Sequence, residues 1–181
     1  MSIWISVYCQ QPVPDFSASN LEAAIAEGCV DYRGDHYFHE MFQSLQVNEY
    51  SSRGRDSQSL FHVKYALKDS PRGRRTSEES APITLDRIVD REVVESYVLE
   101  LLEDYLKGRR GPKATAVRQH LARTVEIYSF GLKDYHYLGK GRIVIGAARQ
   151  WLAQLGKGMV REDGVGWLEW TRHGFFSLLK E

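Results

Sequence analysis

The sequence has few cysteines, no charge excess and no long hydrophobic run, and each absence excludes a class of protein. Its two cysteines, Cys9 and Cys29, are too few for a disulfide scaffold. Basic and acidic residues number 24 each, whereas proteins that follow a nucleic-acid backbone usually show a basic excess. No run reaches the roughly 18 apolar residues of a membrane span, and the apolar start lacks the basic leader of a signal peptide. We therefore expect a soluble, cytoplasmic protein that does not bind a membrane. The balanced charge disfavours a nucleic-acid partner but leaves room for local basic patches.

Motifs that indicate a particular reaction are also absent. There is no Gly-x-Ser-x-Gly elbow, and Cys9 lies in an apolar strand, where a thiol tends to be inert. His36 and His39, with Asp35 and Glu40, are the densest group of metal-ligand residue types, but the order His-x-x-His-Glu matches neither zincin nor inverzincin motifs. We therefore predict no catalytic residue, no metal and no cofactor. Metal-dependent hydrolysis at the two histidines is an alternative that metal analysis would test.

The strongest pattern present is an amphipathic helix over Asp90–Lys107. Asp90 is a suitable N-cap, and Gly108 is a suitable stop after the last turn. The apolar residues recur at helical spacing, so they should be buried together, most simply against a sheet. They are Val93, Val94, Tyr97, Val98, Leu101, Leu102, Tyr105 and Leu106.

The opposite side of this helix is acidic and carries one large apolar residue. Glu92, Glu95, Leu99 and Glu103 follow one another at intervals of three or four, which places them on one face. A lone exposed leucine is normal on protein surfaces. The functional interpretation is a hydrophobic anchor within a negative patch, which suits a basic protein partner. We take these four residues as the predicted protein-binding surface.

The order of the predicted elements indicates an α+β fold. Hairpins interrupt any strand–helix–strand alternation, which favours a mixed or antiparallel sheet flanked by helices over a doubly wound parallel sheet. The chain reads as a single domain over residues 1–181, with a mobile loop at 69–81 between two halves that are both compatible with a βαββ order. The predicted strands include Ile3–Cys9, Leu45–Tyr50, Ser59–Leu67, Ile83–Val89 and Val125–Phe130; the predicted helices include Lys113–Arg123 and Arg142–Leu155.

Two local signals predict element boundaries. Ser19 followed by Glu22 fits a capping box that opens a helix, which Gly28 closes. Asp163-Gly164 is typical of a two-residue hairpin loop. Such a loop would pair Val160 with Trp167 and Met159 with Leu168, and would place Val160, Val165 and Trp167 on one face.

An alternative function uses basic residues to bind phosphate or nucleic acid. Gly139, Gly141 and Arg142 precede and open a predicted helix, where a phosphate could dock against backbone N–H groups. The turn lacks the Gly-Lys-Ser/Thr ending of a P-loop and the third glycine of the dinucleotide fingerprint. A second basic group, in the 69–81 loop, could also contact phosphate, although solvated loop charges explain it equally well; it consists of Arg72, Arg74 and Arg75.

Both ends of the chain resemble small bacterial immunity proteins of polymorphic toxin systems. At the start, the likeness lies in the strand Ser2–Cys9, the Gln10-Gln11-Pro12-Val13-Pro14 segment and the capped helix after it. At the end, it lies in the closing helix and the hairpin of residues 158–167. The resemblance implies a non-enzymatic cytoplasmic protein that binds and blocks a cognate toxin domain, with no catalytic residues to carry over.

Overall fold

The computed structural model describes residues 2–29, 38–51, 58–68 and 81–181, and this part of the chain forms one antiparallel sheet with helices on both faces. The sheet order is β2-β3-β4-β5-β1-β6-β7-β8, and every neighbouring pair is antiparallel. The predicted α+β class is therefore confirmed. The strands are β1 Ser2–Cys9, β2 Phe42–Ser51, β3 Gln58–Leu67, β4 Ile83–Ile88, β5 Glu126–Lys133, β6 Gly158–Glu162, β7 Gly166–Thr171 and β8 Gly174–Leu179.

The helices that the sequence predicts at residues 91–104, 112–121 and 141–156 are present in the predicted order, whereas the helix Asp134–Leu138 and the strand Gly174–Leu179 were not predicted. No helix in the described part of the chain is long and apolar enough to cross a membrane. The predicted 69–81 loop falls almost wholly outside the described residues. The helices are α1 Ala18–Gly28, α2 Phe38–Met41, α3 Arg91–Asp104, α4 Pro112–Leu121, α5 Asp134–Leu138 and α6 Gly141–Gly156.

One face of the sheet carries the larger core. Alternate residues of β1, namely Ile5, Val7 and Cys9, point to this face and are buried beneath α1 and α6. The period of two along a strand and the helical spacing of Leu21 and Ile25 in α1 bring these side chains together. At roughly 2 kcal/mol per fully buried aliphatic side chain, this layer is a main source of stability.

The second face is covered only in part. Tyr8, Ile88, Ile127 and Met159 form an apolar row across adjacent strands, and α3 and α4 pack over that row. Farther along the same face, Trp4 of β1 and Tyr50 of β2 are exposed. The helix layer therefore ends within the face, and its edge creates a depression beside α3.

The βαββ order occurs twice, but the two hairpins lie in different places. The first run is β1-α1-β2-β3 with α2 before β2, and the second is β5-α5-α6-β6-β7. In the sheet, β2 and β3 form one outer edge, whereas β6 pairs directly with β1. The two runs of described elements thus share one order along the chain, but their hairpins occupy different positions in the sheet.

The predicted capping box is wrong, because the helix begins two residues earlier. Ser17 is the N-cap of α1, and its hydroxyl accepts a hydrogen bond from Asn20 N at 3.2 Å. Ser19 lies inside the first turn. The Glu22 carboxylate instead accepts from Val47 N of β2 at 2.9 Å. Glu22 therefore ties the helix to a neighbouring strand rather than closing its own N-terminus.

The predicted hairpin is in the right place, but its register is shifted by one residue. The loop contains three residues, 163–165, so Val160 pairs with Leu168 and Arg161 with Trp167. The backbone N–H of Asp163 donates to Trp4 O at 3.1 Å, which keeps Asp163 alongside β1 and moves the turn outward. Val160 and Trp167 consequently lie on opposite faces of the sheet.

Candidate protein-binding site

The predicted binding residues of α3 are all exposed. Asp90 begins the helix as predicted, because its carboxylate accepts from the N–H groups of Glu92 and Val93 at 2.9 and 3.1 Å. Val94 and Val98 are buried against the sheet, which turns the acidic face outward. Leu99 is 57% exposed, and the three glutamates of the predicted surface, Glu92, Glu95 and Glu103, are exposed as well.

An open groove lies along one flank of α3, between this helix and the segment after α4. Its volume is about 640 Å³, and it is lined by Val89, Val94, Glu95, Val98, Leu99, Leu121, Arg123 and Val125 among others. We call these residues the α3 groove. Three of the large apolar residues, Val89, Leu99 and Val125, are exposed. Leu99 is thus part of a concave apolar patch rather than a single surface leucine, and such patches mark interaction sites.

The charges of the α3 groove are partly compensated. Arg91 donates from Nε to Glu95 Oε1 at 2.8 Å across one helical turn, with both side chains largely exposed. This contact contributes little to stability, because exposed pairs of this kind are worth only about 0.3–0.5 kcal/mol. Glu92 and Glu103 do not line the groove. They lie on the side of α3 that faces solvent, which we call the ridge. Successive residues of a helix are rotated by roughly 100° about its axis, so both glutamates lie on the same side of the helix as Leu99.

A second depression lies on the opposite flank of α3. Its volume is about 360 Å³, and we define the aromatic cleft by six of its lining residues, Trp4, Asp86, Tyr97, Glu100, Tyr105 and Arg161. The three aromatic side chains are 43%, 44% and 40% exposed, respectively. The sequence pattern predicted Tyr97 and Tyr105 to be buried with the rest of the apolar stripe. That prediction is wrong, because α3 covers only part of the sheet and these two residues lie at its edge.

The floor of the aromatic cleft is a polar row that crosses four adjacent strands. Asp86 of β4 pairs with Ser129 of β5, Ser129 with Ser6 of β1, and Ser6 with Arg161 of β6. Side chains of directly paired residues lie on the same face of a sheet. The hydroxyls of Ser6 and Ser129 are hydrogen-bonded at 2.8 Å. The row thus separates a carboxylate at one end from a guanidinium at the other.

The two charged ends of this row differ in their surroundings. Arg161 donates to Asp163 at 3.2 Å and also to Glu181, and its guanidinium lies 3.9 Å from the ring centroid of Tyr105. Asp86 forms no hydrogen bond or ion pair with any residue that the structure describes. Three strand spacings, roughly 14 Å, separate the backbone of Asp86 from that of Arg161. Burial alone raises the pKa of the Asp86 carboxyl.

Buried carboxylates on the other face of the sheet are paired, in contrast to Asp86. Glu126 accepts from Arg87 Nη2 at 3.0 Å, and Glu162 accepts from Arg149 Nη1 at 2.5 Å. Such pairs satisfy charges that would otherwise be left unsolvated. These two pairs therefore fix neighbouring elements, whereas the carboxylate of Asp86 remains available in an accessible cleft.

Trp4 reaches the edge of the aromatic cleft because its neighbour on β5 has no side chain. Trp4 pairs with Gly131, and a Cβ at that position would lie 3.1 Å from the Trp4 ring and 2.6 Å from Thr84 Oγ1. The indole therefore lies over the glycine backbone toward β4. The Asp163 carboxylate also accepts from Trp4 N at 2.9 Å, which holds the start of β1 in position.

Close packing explains why one residue of the predicted phosphate-binding turn is a glycine. A Cβ on Gly141 would lie 2.8 Å from Tyr65 Oη and 2.9 Å from the backbone O of His136, so close contact requires the glycine there. The guanidinium of Arg142 lies 6.0 Å from the ring centroid of Tyr137. Gly139 precedes the turn into α6. Phosphate binding at this turn stays a prediction, and the three arginines of the 69–81 loop lie outside the described residues.

The residues considered for catalysis are not assembled into a reactive site in the described part of the chain. Burial and the charge of Glu126 raise the pKa of the Cys9 thiol, and burial raises that of Cys29 to about 11. Both thiols are therefore protonated near neutral pH, and thiols are weak nucleophiles. No group of three or more His, Cys, Asp or Glu residues within the described ranges is placed to hold a metal ion. His36 and the side chain of His39 fall outside those ranges.

Comparisons with protein-family models, curated proteins and solved structures found no match to this chain. The surface of the molecule is therefore the basis for inferring its function. That surface consists of the acidic ridge of α3, the α3 groove on one flank and the aromatic cleft on the other. Sequence reasoning identified the ridge but missed the cleft. The sequence signal that could have indicated the cleft is Asp86, a charged residue inside the predicted strand Ile83–Val89.

Proposed function

We propose that this protein is a non-enzymatic protein-binding module of the immunity type, which binds and inhibits a cognate bacterial toxin through α3. The observation that carries the proposal is the exposure of Leu99 beside Val89 and Val125 in a concave groove. An apolar anchor surrounded by charged residues is the usual centre of a protein interface. The resemblance of both ends of the chain to immunity proteins adds support.

The dimensions of this surface suit such a complex. A specific interface buries roughly 800 Å² on each partner, which a helix with depressions on both flanks can provide. The residues of α3 include five carboxylates and one arginine. This excess favours a partner with a basic surface, because complementary charge speeds encounter.

If the proposal holds, a secreted toxin should be encoded directly beside this chain, and the test is complex formation with the domain of that toxin. We expect the full-length protein to form a complex with that domain and to protect cells that express it. The double substitution Leu99→Arg with Glu95→Lys should weaken the complex by at least about thirtyfold, the effect of a hot-spot residue worth about 2 kcal/mol. The thermal stability should change little, because both side chains are exposed.

The matched control is Leu138→Arg. Leu138 is 84% exposed and lies outside the α3 groove. The control therefore makes the leucine-to-arginine change of Leu99→Arg at a position that has no proposed contact with the partner. Equal binding by the control and the double variant would exclude this face. Failure of the encoded domain to bind the wild-type protein would contradict the immunity function itself. Salt-sensitive binding of short RNA or DNA, lost on neutralising Arg72, Arg74, Arg75 and Arg142, would instead favour the alternative function.

A further inference from the structure

We propose that the aromatic cleft receives the guanidinium or ammonium group of a basic side chain on the protein partner, with Asp86 as its ion-pair acceptor. This inference rests on the proposed function, because the basic group belongs to the bound protein. It adds a site that neither the acidic stripe nor the resemblance to immunity proteins indicated.

The side chains that line the aromatic cleft suit a cation. Trp4, Tyr97 and Tyr105 present aromatic rings around a cavity of about 360 Å³. The faces of aromatic rings attract cations, and the attraction increases when the cation leaves bulk water. Arg161 already lies over the ring of Tyr105, so the same cleft holds one guanidinium from within the chain. Tyr97 and Trp4 line the remainder of the rim.

The charges inside the aromatic cleft also favour a cation. Asp86 lies on the floor of the aromatic cleft without a partner among the described residues, and Glu100 lies on the wall. Arg161 pairs with Asp163 and Glu181 instead of Asp86. A cationic group entering over Ser129 would therefore find an unpaired carboxylate and nearby hydroxyl oxygens as acceptors. Arginine suits this environment well, because its planar guanidinium both stacks on rings and donates several hydrogen bonds.

The aromatic cleft also lies beside the proposed binding surface. The cleft and the α3 groove share α3 as a common wall, since Tyr97 and Glu100 line one and Glu95 and Leu99 the other. A partner that covers Leu99 therefore lies within reach of the cleft. The desolvation of Asp86 also fits this use, because burial without a cationic partner raises the pKa of its carboxyl in the free protein. Ion pairing in the complex would relieve that unfavourable state.

The first experiment uses blocked arginine, N-acetyl-arginine amide, as the probe. We expect it to shift the indole signal of Trp4 in NMR spectra of the full chain, with saturation in the millimolar range. Blocked citrulline, which has the same shape without the charge, should cause no comparable shift. Asp86→Asn should weaken probe binding by at least about tenfold, the effect of losing a charged hydrogen-bond acceptor. Glu27→Gln, an exposed carboxylate change on α1, is the matched control and should bind as wild type.

The second experiment separates a binding role from a structural role. Asp86→Asn removes an unpaired, partly desolvated charge, so the variant should be at least as stable as wild type in urea unfolding at neutral pH. The same variant should bind the toxin domain at least about tenfold more weakly. A loss of binding together with a gain of stability is not expected from a residue that only supports the fold.

The outcomes distinguish the two proposals. Equal binding of blocked arginine and citrulline, or unchanged affinity of Asp86→Asn for the toxin domain, would overturn the cleft inference. If the complex still depends on Leu99 in that case, the proposed function stands without the cleft. If the wild-type protein forms no complex with the toxin domain, the proposed function fails and the cleft inference fails with it.

Discussion

Two glycines of α6 lie in the same helix but in different surroundings. Gly146 has open space where a Cβ would be, whereas a Cβ on Gly156 would overlap Cys9 Sγ and lie 2.8 Å from Cys9 Cβ. Gly146→Ala should therefore stabilise the protein by about 0.5–1 kcal/mol through reduced backbone entropy of the unfolded chain. Gly156→Ala should destabilise it by about 2 kcal/mol through overpacking.

Urea unfolding of the two variants measures this difference directly, and each serves as the control for the other. Replacing glycine by alanine should raise the free energy of unfolding at position 146 and lower it at position 156. Equal stabilisation by both substitutions would show that α6 does not pack against Cys9 as closely as the structure has it. The position of Cys9 is central to the fold, since β1 lies in the middle of the sheet.

His120 should make stability depend on pH. Its Nε2 lies 2.7 Å from the carbonyl oxygen of Tyr8, and burial, the largest cause, lowers the pKa of His120 below 6.5. Between that lowered value and 6.5, the unfolded chain binds more protons than the folded one. The free energy of unfolding should therefore fall as the pH decreases from about 6.5 toward the folded-state pKa.

The measurement compares wild type with His120→Gln from about pH 7.5 to about pH 5 by urea unfolding. Glutamine can still donate to the Tyr8 carbonyl but does not titrate. The pKa of His62 is also lowered, so the variant should lose part of the pH dependence rather than all of it. An identical pH profile for the two proteins would contradict the assignment to His120.

At the scale of elements, the sequence predicts which segments form helices and strands better than it predicts how they pair. The helical spacing of Val94, Val98 and Leu101 correctly indicated that α3 buries one side, because that spacing is a property of the segment alone. The extent of cover depends on the sheet beneath it. Tyr97 and Tyr105 fit the same spacing, yet they stay partly exposed because α3 lies at the edge of its layer.

The hairpin register shows the same limit. Asp163-Gly164 located the turn, but the number of loop residues was set by contacts with β1. Asp163 exchanges hydrogen bonds with the backbone of Trp4, which is far away in the sequence. A single added loop residue moves Trp167 to the opposite face, because side chains alternate along a strand. No local pattern contains that information.

The aromatic cleft could not be predicted for a similar reason. Its floor joins Ser6, Asp86, Ser129 and Arg161 from four separate segments. Each of these residues is ordinary in its own segment. Their association depends on the strand order β4-β5-β1-β6, in which β1 lies between strands that come much later in the chain. The position of a polar row across a sheet follows from topology rather than from composition.

At the scale of the whole molecule, neutral composition conceals an uneven distribution of charge. Acidic and basic residues are equal in number, yet α3 carries five carboxylates and one arginine on its 14 residues. A basic partner approaching this face is attracted, and dissolved salt screens that attraction over about 10 Å at moderate ionic strength. The proposed complex should therefore associate more slowly as salt is added, by about tenfold between about 50 mM and about 500 mM.

Association and dissociation rates test this charge effect separately from the apolar contact. Replacing Glu92 and Glu103, which lie outside the groove, by glutamine should flatten the salt dependence of the association rate and leave dissociation nearly unchanged, because charges outside the buried centre mainly steer encounter. Leu99→Ala should instead speed dissociation at every salt concentration, since an apolar anchor acts after encounter. If this double variant keeps the wild-type salt dependence, the ridge of α3 does not steer the partner. The field that does so would then have to come from another part of the molecule, and the docking face would have to be sought there.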